Sequence, residues 1–134
     1  MDGTDSFNTR QVLNRACLSQ GVPWVFGGVS GFNGMVSVFI PGSGPCFECV
    51  IPPPGTKTPD PGIIGPAAGI TASIQAMESL KFLLGKGKLL TGRLLKLSGL
   101  DMRISYMDFT PNPHCRVCSP DTTKKDLSDH GDHP

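Results

Sequence analysis

The spacing of apolar residues along the chain predicts two helices. The first follows a run of helix-capping side chains at residues 2–6 and extends to Gln20, with apolar residues on one side of it: Val12, Leu13, Ala16 and Cys17. The second begins near Gly65-Pro66, and its apolar residues recur every three or four positions, which predicts that they form one buried face: Ile70, Ile74, Met77, Leu80 and Leu84. Gly21 and Gly85 are placed to end the two helices.

Shorter apolar or alternating runs predict four strands. Residues 24–29 form a continuous apolar run, as in a strand buried on both faces, and residues 35–40 follow the turn-forming sequence GFNG. Residues 93–97 and 102–109 predict two more strands around a turn. The order is helix, two strands, a long loop rich in proline and glycine, helix, two strands, so the fold class is α/β. Because the chain opens on a helix and lacks repeated strand–helix units, we interpret it as the second half of a larger fold.

Composition and charge narrow the class of protein. The 134 residues are 38% apolar and 17% charged, which fits one globular domain. The net charge of +1 indicates neither a nucleic-acid partner nor an anionic membrane. There is no apolar run long enough to span a bilayer and no signal peptide, so we predict a cytoplasmic protein. Residues 1–119 are predicted to form the folded portion, and the polar residues 120–134 a disordered tail.

Two Cys-x-x-Cys pairs carry the strongest chemical signal. Cys46 and Cys49 form one pair, and Cys115 and Cys118 form the other. Two such turns complete a tetrahedral shell of four thiolates, which suits zinc and leaves no coordination position open, so the predicted role is structural. A redox dithiol and a set of unrelated thiols are the alternatives, and His114 is an alternative ligand to one cysteine. The fifth cysteine, Cys17, is predicted to be a small core residue.

The acidic sequence DGTDS at residues 2–6 has two interpretations. Its side chains can cap the first helix, which is what the residue types alone favour. Alternatively, a carboxylate here holds a divalent cation over nucleotide phosphates. Magnesium is bound through one or two carboxylates together with phosphate oxygens, so a single aspartate is sufficient.

Five segments, taken in order, resemble the C-terminal half of the ThiF/MoeB/HesA family, the bacterial relatives of ubiquitin-activating enzymes. They are DGTDSxxxRxxxN, PWVFGGVSGFNGMVSVFIP, CFEC, GIIGPAAGITASIQAMESLKFLLG and PHCRVC. The resemblance covers residues 2–118. It implies the C-terminal half of a Rossmann-like fold, with a mixed sheet, two main helices and a zinc site formed by the four cysteines.

The resemblance also implies a function. Enzymes of this family are ATP-dependent adenylyltransferases that activate the C-terminal glycine of a ubiquitin-like protein, which in MoeB and ThiF relatives is a sulfur carrier for molybdopterin or thiamine biosynthesis. Carried over to this chain, Asp5 is the catalytic aspartate that binds ATP and Mg²⁺, and Ser6 lies beside it in the cofactor site. Relatives are commonly homodimers, so a homodimer is expected here.

Other positions match the family with structural roles. Asp2 would lie at the end of a preceding strand, and Arg10 and Asn14 would tie the first helix to neighbouring loops. Residues 62–68 match the place where the C-terminal tail of the carrier passes towards the nucleotide.

The sequence departs from the family in two respects. The family's glycine-rich phosphate loop, its ribose-binding acidic residue and the arginine and lysine that contact phosphates belong to an N-terminal half, which these 134 residues do not contain. We therefore expect the chain alone to be inactive in adenylation. In the crossover loop, Thr58 and Asp60 stand near the place where many relatives have a cysteine, which argues against a thioester step. The alternative function is a non-catalytic, zinc-stapled module that binds a ubiquitin-like partner.

Overall fold

The computed structural model describes residues 1–55 and 61–120. Their elements are α1 (Phe7–Gln20), β1 (Trp24–Ser30), β2 (Asn33–Phe39), α2 (Phe47–Val50), α3 (Gly65–Leu84), β3 (Arg93–Ser98) and β4 (Arg103–Asp108). The predicted order of helices and strands is confirmed, and the short α2 is added to it. Thr58, Asp60 and all of the predicted tail beyond Pro120 lie outside the described residues.

The helix ends follow from local sequence. Ser6 caps α1 because its Oγ accepts a hydrogen bond of 3.1 Å from Thr9 N. Gly21 and Gly85 end α1 and α3 in the left-handed conformation, with φ of 65° and 61°. Both glycines were predicted at these positions from the sequence, and the predictions are confirmed.

The four strands form one antiparallel sheet in the order β1-β2-β3-β4. The predicted mixed sheet is therefore wrong for the described strands, whose surroundings contain only two isolated parallel bridges. The path of the chain explains this. After β2 the chain returns to the β1–β2 turn, where Gly31 N donates to Gly62 O over 2.7 Å, and α3 then runs back to the other end, where Val38 N donates to Leu90 O. β3 consequently enters beside the end of β2 and runs in the opposite direction.

One face of the sheet, here called the aromatic face, lies under α1 and α2. Phe47 of α2 is fully buried at its centre, with ring centroids 5.4 to 6.0 Å from those of four neighbours: Phe7, Trp24, Phe26 and Phe39. Cys17 packs in the same cluster, so its predicted place in the core is confirmed. Val12 and Ala16 are exposed, and the side of α1 turned inwards contains Leu13, Asn14 and Cys17 instead.

The opposite face, here called the α3 face, carries aliphatic side chains of β1, β2 and β3, among them Val25, Val36 and Leu95. The helix α3 meets this face largely with polar residues. Gln75 Nε2 donates to Val25 O and to Asp2 O, at 3.2 and 3.0 Å, and Glu78 Oε2 accepts from Leu90 N at 2.9 Å. These directional bonds fix the rotation of the helix about its own axis.

Two glycines of the sheet make room for the polar side chains of α3. A Cβ atom at Gly27 would overlap the Gln75 side chain, and a Cβ atom at Gly34 would overlap Thr71 Oγ1. Thr71 and Gln75 are both buried. The close approach of α3 to the sheet therefore requires glycine at these two strand positions.

The predicted buried face of the second helix is wrong. Four of its five residues are exposed by 39% to 66%, namely Ile70, Met77, Leu80 and Leu84, and only Ile74 is half-buried. The apolar stripe points away from the sheet because the hydrogen bonds of Gln75 and Glu78 to backbone atoms outside α3, together with the packing of Thr71 against Gly34, set the rotation of the helix.

The strand β4 is exposed along its whole length. Ile104 and Tyr106 lie opposite Leu97 and Leu95 in the β3–β4 pairing, so they share the side of the sheet on which α3 lies. We use the term apolar surface for these exposed apolar residues of α3 and β4: Ile70, Met77, Leu80, Leu84, Ile104 and Tyr106. None of the helices in the described part of the chain has the length and apolar character needed to cross a membrane.

Candidate functional site

The four paired cysteines meet in one cluster. Their sulfur atoms all lie within 4.8 Å of one another, and three of the sulfur–sulfur distances are 3.8 Å (Cys46–Cys49), 3.7 Å (Cys46–Cys115) and 3.4 Å (Cys49–Cys118). A tetrahedral zinc–thiolate shell with bonds of about 2.3 Å has sulfur–sulfur edges of about 3.8 Å. The cluster therefore has the size of a tetrahedral metal site, and it could hold a metal ion.

Each cysteine pair is placed by a tight turn. Cys46 precedes α2 and Cys49 lies within it, with Cys49 N donating to Cys46 O at 3.0 Å. The second pair follows β4, in a turn where Cys115 N donates to Asn112 O at 3.0 Å. Cys46 and Cys115 are buried and the other two are half-buried, so the cluster is largely shielded from solvent. His114 is exposed, and the metal-binding group found among the described residues consists of the cysteines without it.

Burial opposes ionisation of two of these thiols. It raises the pKa of Cys46 to about 11, although the Asn14 side chain and a neighbouring cysteine act in the opposite direction. Burial also raises the pKa of Cys118. A divalent cation at the centre of the cluster reverses this preference, because it binds thiolates and displaces their protons. The donor set is thus soft, compact and suited to a cation.

Within the N-terminal acidic turn, Asp2 has a structural position. Its side chain is fully buried, with Oδ2 2.7 Å from Arg10 Nε and Oδ1 accepting from Thr4 N and Thr4 Oγ1 at 2.8 and 2.7 Å. Its backbone continues towards the sheet, since Asp2 N donates to Val25 O at 2.8 Å. Asp2 therefore closes the turn and attaches it to the edge of β1.

Ser6 and Asp5 differ in the same turn. Ser6 Oγ caps α1 and lies 2.7 Å from Thr9 Oγ1, so this hydroxyl is engaged within the protein. Asp5 is exposed, and its carboxylate has neither a hydrogen bond nor an ion pair within residues 1–55 and 61–120. The arrangement leaves the Asp5 carboxylate available at the N-terminal end of a helix.

Arg10 and Asn14 connect α1 to its surroundings, as the resemblance implied. Arg10 Nη2 donates to Thr4 O and Gly27 O at 2.6 and 2.9 Å, and the guanidinium lies 5.1 Å from the centre of the Phe26 ring. Asn14 Oδ1 accepts from Phe47 N at 3.2 Å, which joins α1 to the helix of the first cysteine pair. The four-residue spacing of Arg10 and Asn14 places both on the inward side of α1.

The sequence profile of the ThiF family matches residues 1–117, and the chain belongs to this family. The predicted resemblance is thereby confirmed. The chain is similar to the SAMP-activating enzyme E1 of Haloferax volcanii, with 39% identity over 124 residues that cover 88% of this chain and 45% of that protein. It is also similar to the sulfur carrier protein adenylyltransferase of Thermus thermophilus, with 36% identity over 140 residues that cover 97% of this chain and 52% of that protein. The chain spans about half the length of these curated relatives.

Among solved structures, Escherichia coli MccB has a similar fold. The TM-score is 0.74, and the matched region covers 87% of this chain and 38% of MccB. The sequence identity is 18%, so this likeness concerns the fold alone.

The four cysteine ligands can be identified from the sequence, but the contacts that hold the site in position cannot. Asn14 was singled out only through the family motif, and its position beside the cysteine cluster was not predicted. Gln75, which supports Asp2 O from α3, was assigned no role although it is polar within an apolar helix. In both cases the available signal was a polar residue one helical turn from another polar residue of the same helix: Asn14 from Arg10, and Gln75 from Thr71.

Proposed function

We propose that this chain is the zinc-clamped, carrier-binding portion of an ATP-dependent adenylyltransferase that activates the C-terminal glycine of a ubiquitin-like sulfur-carrier protein. The folded portion of residues 1–119 would hold the metal site and part of the carrier surface. In the reaction, a carboxylate oxygen of the carrier attacks the α-phosphorus of ATP, the bond from that phosphorus to the bridging oxygen breaks, and pyrophosphate leaves. The carrier ends as an acyl-adenylate.

The observation that carries this proposal is the division of roles in the acidic turn. Asp2 and Ser6 are engaged in closing the turn and capping α1, whereas Asp5 is exposed and unpaired among the described residues. Asp5 would hold Mg²⁺, which, when bound, supplies positive charge against the phosphate oxygens. Ser6 would contribute to the cofactor site by fixing the start of α1 beside it. The names of the curated relatives support adenylyl transfer.

The metal at the cysteine cluster would be zinc with a structural role. Four thiolates at tetrahedral spacing suit zinc and close the coordination shell, so the ion has no position for a reacting group. The four cysteines come from two turns that are far apart in the sequence, and two of them are buried and two half-buried. This arrangement also argues against a redox dithiol, which needs one accessible pair. The ion would fasten α2 to the segment after β4.

The partner would be a ubiquitin-like sulfur carrier. The apolar surface is of the kind that binds another protein, and Ile63 stands exposed just before α3, within the segment proposed to guide the carrier's tail. That segment is attached to the β1–β2 turn, since Gly31 N donates to Gly62 O and Ile64 N donates to Gly31 O. A homodimer and a cytoplasmic location complete the proposal.

The chain by itself is proposed to be inactive. Phosphate binding in nucleotide sites uses a glycine-rich loop that follows a strand and opens a helix. Among the described residues, the GFNG sequence forms a hairpin connection between β1 and β2, and GKGK follows the end of α3. Neither opens a helix, so the phosphates would have to be held by residues outside this chain.

The test is ATP–pyrophosphate exchange with a sulfur carrier. The chain alone should show no exchange, and a fusion that places the N-terminal half of the Thermus thermophilus relative before Asp2 should restore it. In the fusion, Asp5→Ala should reduce exchange by about 100-fold or more, whereas Asp101→Ala, at an exposed aspartate of the β3–β4 loop, should not. Zinc content should be the same in both variants. Full exchange by the Asp5→Ala fusion would refute the assigned role of Asp5.

A second candidate function is a non-catalytic module that binds a ubiquitin-like partner. It is favoured by the lack of a phosphate-binding loop among the described residues. Under this hypothesis the carrier binds the chain, but the fusion gives no exchange with ATP. Titration calorimetry with the carrier, run beside the exchange assay, separates the two functions.

A further inference from the structure

Asn14 is a fully buried polar side chain with one half of its amide unpaired. Its exposed fraction is 0%, and Oδ1 accepts a hydrogen bond from Phe47 N. Nδ2 is buried and has no hydrogen-bond partner among the described residues. A buried donor without an acceptor is destabilising, so an acceptor for Nδ2 is expected nearby.

The direction in which Nδ2 points is fixed by chemistry. The backbone N–H of Phe47 can only donate, so the amide atom that faces it must be the oxygen. The nitrogen therefore occupies the other position. Cys46 immediately precedes Phe47, so its thiol lies on the turn that Asn14 already contacts through Phe47 N. Burial raises the pKa of Cys46, and the Asn14 side chain acts in the opposite direction, as a donor to the sulfur would.

We propose that Asn14 is a positioning residue of the metal centre, whose Nδ2 donates an N–H···S hydrogen bond to the metal-bound thiolate of Cys46. The inference rests on the metal site of the proposed function and adds a residue to it. A protonated thiol is a weak acceptor, whereas a thiolate carries negative charge and accepts more strongly. Asn14 thus supports both Cys46 and, through Oδ1, the start of α2.

This bond extends the metal centre to the acidic turn. Asn14, Arg10 and Ser6 are spaced four residues apart along the start and inward side of α1. Arg10 holds Asp2 and Thr4, and Ser6 caps the helix directly after Asp5. The metal-bound thiolate therefore helps to fix the helix on which the Asp5 turn is built.

The main test compares Asn14→Asp with the unchanged chain of 134 residues. This substitution keeps an acceptor for Phe47 N and the size of the side chain but removes the donor to sulfur. We expect zinc affinity, measured by competition with a chromophoric chelator, to fall by about 10- to 100-fold. In the cobalt-substituted protein, the sulfur-to-cobalt charge-transfer bands should move to lower energy, because the thiolate loses a hydrogen bond.

The matched control is Asn112→Asp. It adds the same charge beside the second cysteine pair and keeps an oxygen for the bond from His114 N. It should change affinity much less than Asn14→Asp and leave the charge-transfer energy unchanged. If Asn14→Asp behaves like this control or like the unchanged chain, the Asn14 bond is refuted while the metal site stands. If the unchanged chain binds neither zinc nor cobalt, the metal site of the proposed function is refuted with it.

A measurement without any substitution guards against a variant that fails to fold. In the chain loaded with an NMR-active cadmium isotope, a scalar coupling from the metal to the Asn14 side-chain amide protons is expected across the N–H···S bond. Couplings to backbone amides in the cysteine turns serve as the internal control. If those couplings are seen and the Asn14 coupling is not, the inference is wrong.

Discussion

The two faces of the sheet are covered by helices that attach in different ways. On the aromatic face, Phe47 packs among four other rings, and the cysteine cluster lies next to this core. On the α3 face, Gln75 and Glu78 attach the helix to backbone atoms, and two glycines of the sheet make room for Gln75 and Thr71. On the aromatic face, most of the apolar side chains are buried within the protein. On α3, most of the apolar side chains are exposed.

This difference means that the aromatic face contributes mainly to stability, whereas α3 presents a surface suited to binding another protein. Packing of large rings supplies free energy without needing a partner, and a metal ion held by the cysteine cluster would add to it. The hydrogen bonds of Gln75 and Glu78 contribute less free energy than this packing does. Because they are directional, they fix the rotation of α3 more narrowly than apolar packing would. The chain can therefore hold an apolar stripe outward in a defined orientation, as a surface for another protein would require.

The largest expected effect comes from breaking the metal cluster. Structural zinc contributes on the order of 10 kcal/mol in small zinc domains, which is comparable to the whole stability of a domain of this size. Cys49→Ser, or treatment with a strong chelator, should abolish zinc binding and unfold the aromatic face, as measured by metal analysis and near-ultraviolet circular dichroism. Cys17→Ser, outside the cluster, should keep one zinc per chain. A chelated chain that retained its tertiary signal would contradict the metal's structural role.

The next effect comes from the centre of the aromatic face. Phe47→Ala should lower the free energy of unfolding by about 3–5 kcal/mol, because it leaves a cavity among four rings. The matched change on α3, Phe82→Ala, removes a ring that is 41% exposed and should cost about 1 kcal/mol or less. Urea denaturation measures both, and equal losses would mean that the two faces do not differ as described.

A smaller effect tests the attachment of α3. Gly27→Ala should destabilise by about 1–3 kcal/mol, since the new Cβ displaces Gln75 from its bonds. The same change should cost less in a Gln75→Ala background, which a double-mutant cycle detects. Gly69→Ala on α3 has open space and should stabilise by up to about 1 kcal/mol. Additive losses at positions 27 and 75 would show that the two residues are not coupled.

The smallest effect on stability is expected on the apolar surface. Leu80→Gln should change the free energy of unfolding by about 0.5 kcal/mol or less, because the side chain is already 53% exposed. Ile74→Gln, at the half-buried position of the same stripe, should cost more. Sedimentation and carrier titration should show weaker association for Leu80→Gln. If it destabilised the isolated chain as much as Ile74→Gln does, the stripe would be packed after all.

The features predicted correctly from sequence depend on local chemistry. Gly21 and Gly85 mark helix ends, and the cap of α1 lies within the predicted run at residues 2–6, because capping and left-handed geometry involve only neighbouring residues. The cysteine spacing predicted a four-sulfur cluster because each pair is a single turn. The catalytic role of Asp5 stays a prediction, although its exposure fits the role better than the buried Asp2 does.

The incorrect predictions concern long-range geometry. An apolar stripe predicts that a helix face will be covered, but it does not identify what covers it. The rotation of α3 depended instead on the packing of Thr71 and Gln75 against two glycines of the sheet. The antiparallel β2–β3 pairing depended on the return of the chain to Gly31 before α3, which strand patterns do not encode. The position of Asn14 beside Cys46 likewise required the packing of α1 on α2.

The separation of the two cysteine pairs along the chain also sets when all four cysteines could hold a metal ion. Cys46 and Cys115 are 69 residues apart, and α3 and the β3–β4 hairpin are both synthesised between them. On the ribosome, the four-sulfur shell cannot assemble until Cys118 has emerged, so the growing chain offers only a two-thiol site for most of its synthesis. Under the proposed function, metal loading would therefore be a late step in the production of this protein, because it requires the second cysteine pair.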